Sequence, residues 1–202
     1  MTKTVTAMFD DYQSGAAAVR ALETAGVPAS DISIIANNAD NWHTGAERTS
    51  EAAEDAGKGA GVGAAVGGVG GLLAGLGMLA IPGLGPIVAA GWLASTAAGA
   101  VTGAVVGAAA GGLVGSLTEA GVPERDAHVY AEGVRRGGTL VTAKVPDSMA
   151  TEAQAILQRN RSVDLTHRAA AYRESGWSSF DESAPAYTAE EVQRERTRYM
   201  TR

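Results

Sequence analysis

The sequence predicts an α+β fold of ferredoxin-like type, in which an antiparallel sheet packs against helices on one face. Residues 1–58 show the element order β-α-β, and residues 119–170 show the order α-β-α-β. The uncharged, glycine-rich block 59–118 lies between these two halves as an insertion. Residues 171–202 follow as a linker and a charged C-terminal helix.

The first half begins with TVTAMF (4–9), whose alternation predicts a short strand ending at Phe9. The next segment has apolar residues near helical spacing, and Gly26 and Pro28 supply its stop signals. The isoleucine-rich DISIIA (31–36) predicts a second strand. Residues 37–58 are polar and are expected to form a loop that passes into a polar helix.

The second half contains a helix over 123–138, which begins at a proline and ends at glycines, and then a strand over 139–145. A further helix over 147–160 and a last strand over 163–167 complete the predicted sheet. Residues 171–187 predict a linker. Thr188 and Glu191 fit a capping box at the start of a charged helix, which we expect to fray in water.

The block 59–118 contains sixty residues without Asp, Glu, Lys, Arg or His. Its centre, IPGLGP (81–86), predicts a chain reversal at Pro82, Gly83, Gly85 and Pro86. The two arms, 59–81 and 87–115, would be about 34 Å and about 43 Å long as helices. Each is long enough to cross a bilayer core of ~30 Å.

Glycine recurs at every fourth residue in both arms, which favours close helix–helix packing of the glycine-zipper type. The predicted helix-packing positions are Gly59, Gly63, Gly67, Gly71, Gly75, Gly91, Gly99, Gly103, Gly107, Gly111 and Gly115.

Three interpretations of the block compete. It could form a transmembrane hairpin, a helical hairpin buried in a soluble homo-oligomer, or a flexible linker. The length and apolar content of the arms favour the first, with the lipid bilayer and further copies of the chain as partners. An even number of spans and the lack of a signal-peptide pattern predict a membrane protein whose α/β domain faces the cytoplasm. The alternative location is the cytoplasm itself.

The rest of the sequence contains no combination of residues typical of a catalytic, cofactor or metal site. The net charge is −6 and no segment is strongly basic, so nucleic acid is not an expected partner. The chain has no cysteine, and its three histidines (His43, His128 and His167) have no second ligand at metal spacing. Neither a phosphate-binding loop nor a nucleophile elbow is present. The sequence therefore predicts no enzyme, no cofactor, no metal and no small-molecule substrate.

Residues 120–145, AGVPERDAHVYAEGVRRGGTLVTAKV, resemble bacterial general stress proteins, including those called low-temperature-induced. The shared motif falls on Tyr130, Gly133, Val134, Gly137 and Gly138, and the resemblance covers about residues 3–168. It implies a stress-associated, non-enzymatic protein with a glycine-zipper insertion. Together with the block, it implies a self-associating protein anchored in the bacterial inner membrane. The alternative is a soluble homo-oligomeric scaffold or binding module that assembles through the hairpin.

Overall fold

The computed structural model describes residues 1–44, 71–74, 76–94, 96 and 112–200. These ranges contain an antiparallel sheet with the strand order β1-β5-β2-β4-β3. The strands are β1 (Thr2–Phe9), β2 (Ile32–Asn37), β3 (Gly77–Ile81), β4 (Gly85–Gly91) and β5 (Thr139–Pro146). The α+β class and the antiparallel sheet are therefore confirmed.

The helices are α1 (Tyr12–Thr24), α2 (Gly71–Ala74), α3 (Gly112–Glu119), α4 (Glu124–Arg135), α5 (Ala150–Arg159), α6 (Leu165–Glu174) and α7 (Ala189–Met200). Asp11 caps α1 by accepting a hydrogen bond from the backbone N–H of Ser14. The predicted helix stop at Gly26 is also present, because this glycine has a φ of 93° directly after α1.

The middle of the sheet is built from strands that are far apart in the chain. β5 lies between β1 and β2 and is antiparallel to both, with Phe9 opposite Thr139 and Ile34 opposite Val141. The first two strands are consequently parallel to each other, and α1 crosses over from one to the other. On the far side of β2, the β3–β4 hairpin extends the sheet.

Helices cover both faces of the sheet, and the expectation of helices on one face is wrong. One core contains Val5, Phe9 and Val141 together with residues of α1 and α5. The other contains Met8 and Leu140 together with residues of α3 and α4. The physical reason is visible in β2, where all six residues are buried. A strand that is buried on both faces needs a layer on each side.

The predicted helical hairpin is contradicted at its centre. Residues 77–91 form β3 and β4, so neither 59–81 nor 87–115 is one continuous helix. Pro82 and Gly83 do lie in a reversal, and Gly85 and Pro86 begin β4, but the reversal connects strands. Leu84, within this turn, is fully buried in the core. Pairing of β4 with the open edge of β2 satisfies backbone groups that a helix would satisfy internally.

The last predicted strand, 163–167, is also wrong. The backbone N–H of Val163 donates to the carbonyl oxygen of Met8 at 2.7 Å, as a strand beside β1 would. Asp164 then accepts a hydrogen bond from the N–H of His167 and caps α6. The N-cap at Asp164 starts α6 at this point, so the chain makes one strand-like hydrogen bond to β1 and then continues as a helix.

The C-terminal segment is docked, which corrects the expectation of a fraying tail. The predicted linker 171–187 begins inside α6 and contains the buried Phe180. Thr188 and Glu191 form the predicted capping box, with their reciprocal hydrogen bonds at 2.8 and 3.3 Å. Val192 of α7 is fully buried. Burial of this side of α7 supplies the stability that its charged sequence does not predict.

Eight of the predicted zipper positions lie outside the described residues, namely Gly59, Gly63, Gly67, Gly75, Gly99, Gly103, Gly107 and Gly111. Among the helices that the structure describes, none combines the length and the apolar character needed to cross a bilayer.

Candidate functional site

Three predicted helix-packing glycines lie in the described ranges, and they have different environments. Gly71 begins the short α2, and Gly115 lies within α3. Gly91 is the last residue of β4, with a φ of 91°, so its assignment to a helix interface is wrong. A Cβ atom at this position would lie 2.1 Å from the carbonyl oxygen of Ile32. Gly91 therefore permits two strand backbones to approach closely.

The motif residues that carry the family resemblance hold α4 against β1. The Tyr130 hydroxyl donates to the carbonyl oxygen of Thr6 at 3.1 Å, and Val134 is fully buried. A Cβ atom at Gly133 would lie 1.9 Å from the sulfur of Met8, so a larger residue would push the helix off the strand. A Cβ atom added at Gly138 would lie 2.9 Å from the carbonyl oxygen of Gly133.

Gly137 connects this motif to the C-terminal helix. Its φ is 106°, and an added Cβ would lie 2.6 Å from Cγ1 of Val192. The Arg196 Nε atom donates to its carbonyl oxygen at 3.0 Å. The motif therefore provides a flat backbone surface on which α7 packs.

Three arginines meet beside this surface, one directly after α4 and one each from α6 and α7, and each has a carboxylate partner. Arg168 of α6 donates a hydrogen bond at 2.6 Å to Asp10, the residue directly after β1. Arg196 of α7 donates to Asp40 at 2.5 Å. We call the group of Arg136, Arg168 and Arg196 the arginine cluster. It joins the end of β1, the loop after β2 and the C-terminal helix.

Arg136 is the most highly connected member of the arginine cluster. It donates to Glu132 at 2.5 Å and to Glu195 of α7 at 3.3 Å, and its side chain is 8% exposed. Burial opposes its charge, but the hydrogen bond to Glu132 and the nearby carboxylates outweigh burial and raise the pKa of Arg136. It therefore keeps its charge in this site.

Tyrosine rings cover two of the three guanidinium groups of the arginine cluster. Arg136 lies over Tyr172 at 4.3 Å from the ring centroid, and Arg168 lies over Tyr199 at 3.8 Å. These distances are within the range of cation–π interactions. Burial raises the pKa of Tyr172, against the opposing charge of Arg168. Both phenols are therefore neutral at neutral pH.

A small cavity lies between α4, α6 and α7, with a volume of about 10 Å³. The hydroxyl oxygens of Tyr172 and Tyr199 are buried, and the hydroxyl of Tyr172 interacts with the Arg168 guanidinium. Sequence analysis missed this site because it treated the tail as solvated. The signal was the spacing of Val192, Glu195, Arg196 and Tyr199, which places them on one face of a helix.

The second feature of interest is the outer edge of the sheet at β3. In the described ranges, β3 pairs with β4 on one side and with no strand on the other. Met78 is 48% exposed and Ala80, two residues on, is also exposed. No charged residue occurs anywhere in β3 or β4. The edge is thus apolar along its whole length.

The histidines and carboxylates of the described residues do not form a metal-binding group. The part of the chain that the structure describes contains no group of three or more His, Asp or Glu residues arranged to hold a metal ion. His128 accepts a hydrogen bond from the N–H of Phe180 at 3.2 Å, and the carbonyl oxygen of His43 accepts one from Asn38. These two histidines therefore have local structural partners.

Comparison of the chain with protein-family models, with curated proteins and with solved structures found no match to any of them.

Proposed function

We propose that this chain is a non-enzymatic, self-associating module whose copies join through the outer edge of β3. The observation that carries the proposal is an uncharged edge strand with a half-exposed methionine. Exposed edge strands offer unpaired backbone groups to another chain, and proteins usually protect them with charges, prolines or bulges. The five residues of β3, GMLAI, contain neither charge nor proline.

A second copy of the chain is the partner that fits this edge best. Antiparallel pairing of β3 with the same strand of a second copy is isologous, so both copies use the same patch and are related by a twofold axis. Leu79, at the middle of the strand, would lie nearest to that axis. The sheet would continue from one copy into the other, and no like charges would face each other.

The other edge of the sheet is less suited to this role. β1 carries Lys3, which forms an ion pair with Asp147 at 4.0 Å. At the opposite end of β1, the carbonyl oxygen of Met8 already accepts a hydrogen bond from Val163. Charge and occupied backbone groups are both features of protected edges.

The stress association and the lipid partner come from the sequence. The resemblance of residues 120–145 to general stress proteins supports a role in stress, and the uncharged block supports contact with a bilayer. Self-association through β3 is compatible with a role in stress and with bilayer contact, because the proposed interface lies on the sheet.

Sedimentation velocity over a range of protein concentrations tests the proposal. We expect wild-type chain to form dimers or larger species. In Met78→Lys, two lysines approach each other near the twofold axis, and we expect the dissociation constant to rise by at least about tenfold. Thr2→Lys, on the exposed start of β1, is the matched control and should leave the dissociation constant unchanged.

A wild-type chain that stays monomeric at about 100 μM would overturn the proposal, as would equal effects of Met78→Lys and Thr2→Lys. Flotation with anionic vesicles tests separately whether the chain binds a lipid bilayer. If the chain floats but remains monomeric without lipid, the bilayer is its partner and β3 pairing is rejected. If it associates without floating, the expectation of a lipid partner is wrong.

A further inference from the structure

The thioether of Met78 lies at the edge of the sheet, on a side chain that is 48% exposed. The chain contains no cysteine, so its methionines carry all of its sulfur. Met8, by contrast, is buried in the core, and its sulfur packs against Gly133. Met149 is partly buried against the core that contains residues of α1 and α5. An oxidant in solution therefore reaches the sulfur of Met78 without opening the fold, whereas Met8 is shielded.

The two strands of the hairpin offer no polar side chain to a modified sulfur. β3 reads GMLAI and β4 reads GPIVAAG, so neither contains a side chain that donates a hydrogen bond. Within the hairpin, Met78 lies opposite Val88, which is fully buried. A polar group created on Met78 must therefore be hydrated by solvent, and covering it would leave an acceptor without a partner.

Pairing of two β3 strands would cover Met78 in this way. With Leu79 nearest to the twofold axis, the antiparallel register places Met78 of one copy opposite Ala80 of the other. Directly opposite residues point to the same face of the sheet, with Cβ atoms about 5 Å apart. Met78 and Ala80 are also the exposed residues of β3, so the two copies bring four apolar side chains together on one face.

On the basis of the pairing through β3, on which this step rests, we propose that Met78 is a site of reversible oxidation by peroxides and that its sulfoxide form opens the β3 interface. The O–O bond of the peroxide breaks, and one oxygen forms a bond to the Met78 sulfur, which loses two electrons. The second peroxide oxygen takes the proton and leaves as water, or as an alcohol from an organic peroxide. Reduction by a dithiol restores the thioether, releases the oxygen as water and leaves a disulfide on the reductant.

Oxidation acts on the interface because it changes Met78 from an apolar to a polar side chain. In the separate chain the sulfoxide oxygen is hydrated, since the side chain is half-exposed. In the paired chains it would lie beside Ala80 of the second copy, where it loses water and gains no donor. The affinity between copies therefore falls, while the core around Met8 stays intact.

Sedimentation velocity before and after treatment with hydrogen peroxide tests this site, with peptide mass spectrometry to measure the sulfoxide at each methionine. We expect the dissociation constant of the wild type to rise about fivefold or more when Met78 is oxidised. It should return when methionine sulfoxide reductase and dithiothreitol restore the thioether. Met78→Leu keeps an apolar edge without sulfur, so its dissociation constant should not change with peroxide. Met149→Leu is the matched control and should respond as the wild type does.

An unchanged dissociation constant in wild type with oxidised Met78 overturns the oxidation switch but leaves the pairing through β3 standing. An equal rise in Met78→Leu and wild type also overturns the switch, because another methionine, such as the exposed Met1, would then be responsible. Oxidation of Met8 as fast as Met78 has the same consequence, since peroxide would then act on the core. A chain that is monomeric before treatment overturns the pairing and the switch together.

Discussion

The β3–β4 hairpin and the segment 120–146 both contribute strands to one sheet, but they encode their structure in different ways. The segment 120–146 has an amphipathic helix, a proline at its start, glycines at its end and a β-branched strand. The structure places α4 and β5 within a few residues of their predicted positions. The hairpin has only small and apolar residues, and its predicted helices were wrong.

The difference shows what local sequence signals can and cannot specify. Helical periodicity is recognised by contrast between polar and apolar positions, and the uncharged block has no such contrast. Glycine at every fourth residue is compatible with a helix but does not require one. In the hairpin, pairing with the long-range partner β2 decides the conformation. Three substitutions measure how strongly each region depends on its contacts.

The largest effect is expected at Gly91, where the hairpin meets β2. In Gly91→Ala the new Cβ would lie 2.1 Å from the carbonyl oxygen of Ile32, at a φ of 91°. We expect a loss of roughly 3 kcal/mol or more in the free energy of unfolding, from overpacking and backbone strain together. Urea unfolding measures it.

Gly26→Ala is the matched control for this prediction. Gly26 has a nearly identical φ of 93°, but no atom lies within 4 Å of an added Cβ. This control should lose only about 1 kcal/mol, from backbone strain alone. Equal losses in the two variants would show that the close approach of β4 to β2 is absent.

The next effect is expected at Leu84 in the hairpin turn. Leu84 is fully buried, so Leu84→Ala should lower the free energy of unfolding by about 3 kcal/mol through lost burial and an unfilled cavity. Met78→Ala, at a half-exposed position of the same hairpin, should cost far less. If this turn were instead the solvent-exposed end of a helical hairpin, both variants would lose little free energy of unfolding. That result would favour the helical hairpin over the strand pair.

The smallest of the three effects is a pH dependence in the segment 120–146. Burial, followed by the charge of Asp126, raises the pKa of Tyr130 to about 12. The unfolded phenol ionises near pH 10, so its contribution to stability is complete below pH 10 and is lost as the pH rises to about 12. We expect a loss of about 2 kcal/mol over that interval.

Urea unfolding at several pH values between 9 and 12 measures this loss. Tyr130→Phe removes the phenol and should make the decline of stability with pH less steep. Tyr12→Phe is the comparison, because Tyr12 is only half-buried and its pKa is raised as well. If Tyr130→Phe flattens the profile no more than Tyr12→Phe does, burial of Tyr130 is not the cause.

The sequence was sufficient for the elements that carry their own start and stop signals. The stop at Gly26 and the capping box at Thr188 were both readable locally. The docking of α7 was not, because Val192 is one apolar residue in a charged helix and its partner Gly137 lies far away in the chain. The cavity beneath α7 was therefore also beyond sequence analysis, since its lining comes from distant segments.

The position of β5 between β1 and β2 has a consequence for the order of events during synthesis. Thr6 of β1 lies opposite Thr142, a separation of 136 residues. At a translation rate of about 5–20 residues per second, β1 leaves the ribosome on the order of ten seconds before its partner exists. Pairing of such distant strands is also intrinsically slow. β2 can pair with β4 once residue 91 has emerged, but β1 has no partner strand until β5 is made, and the sheet closes only after residue 146 has emerged.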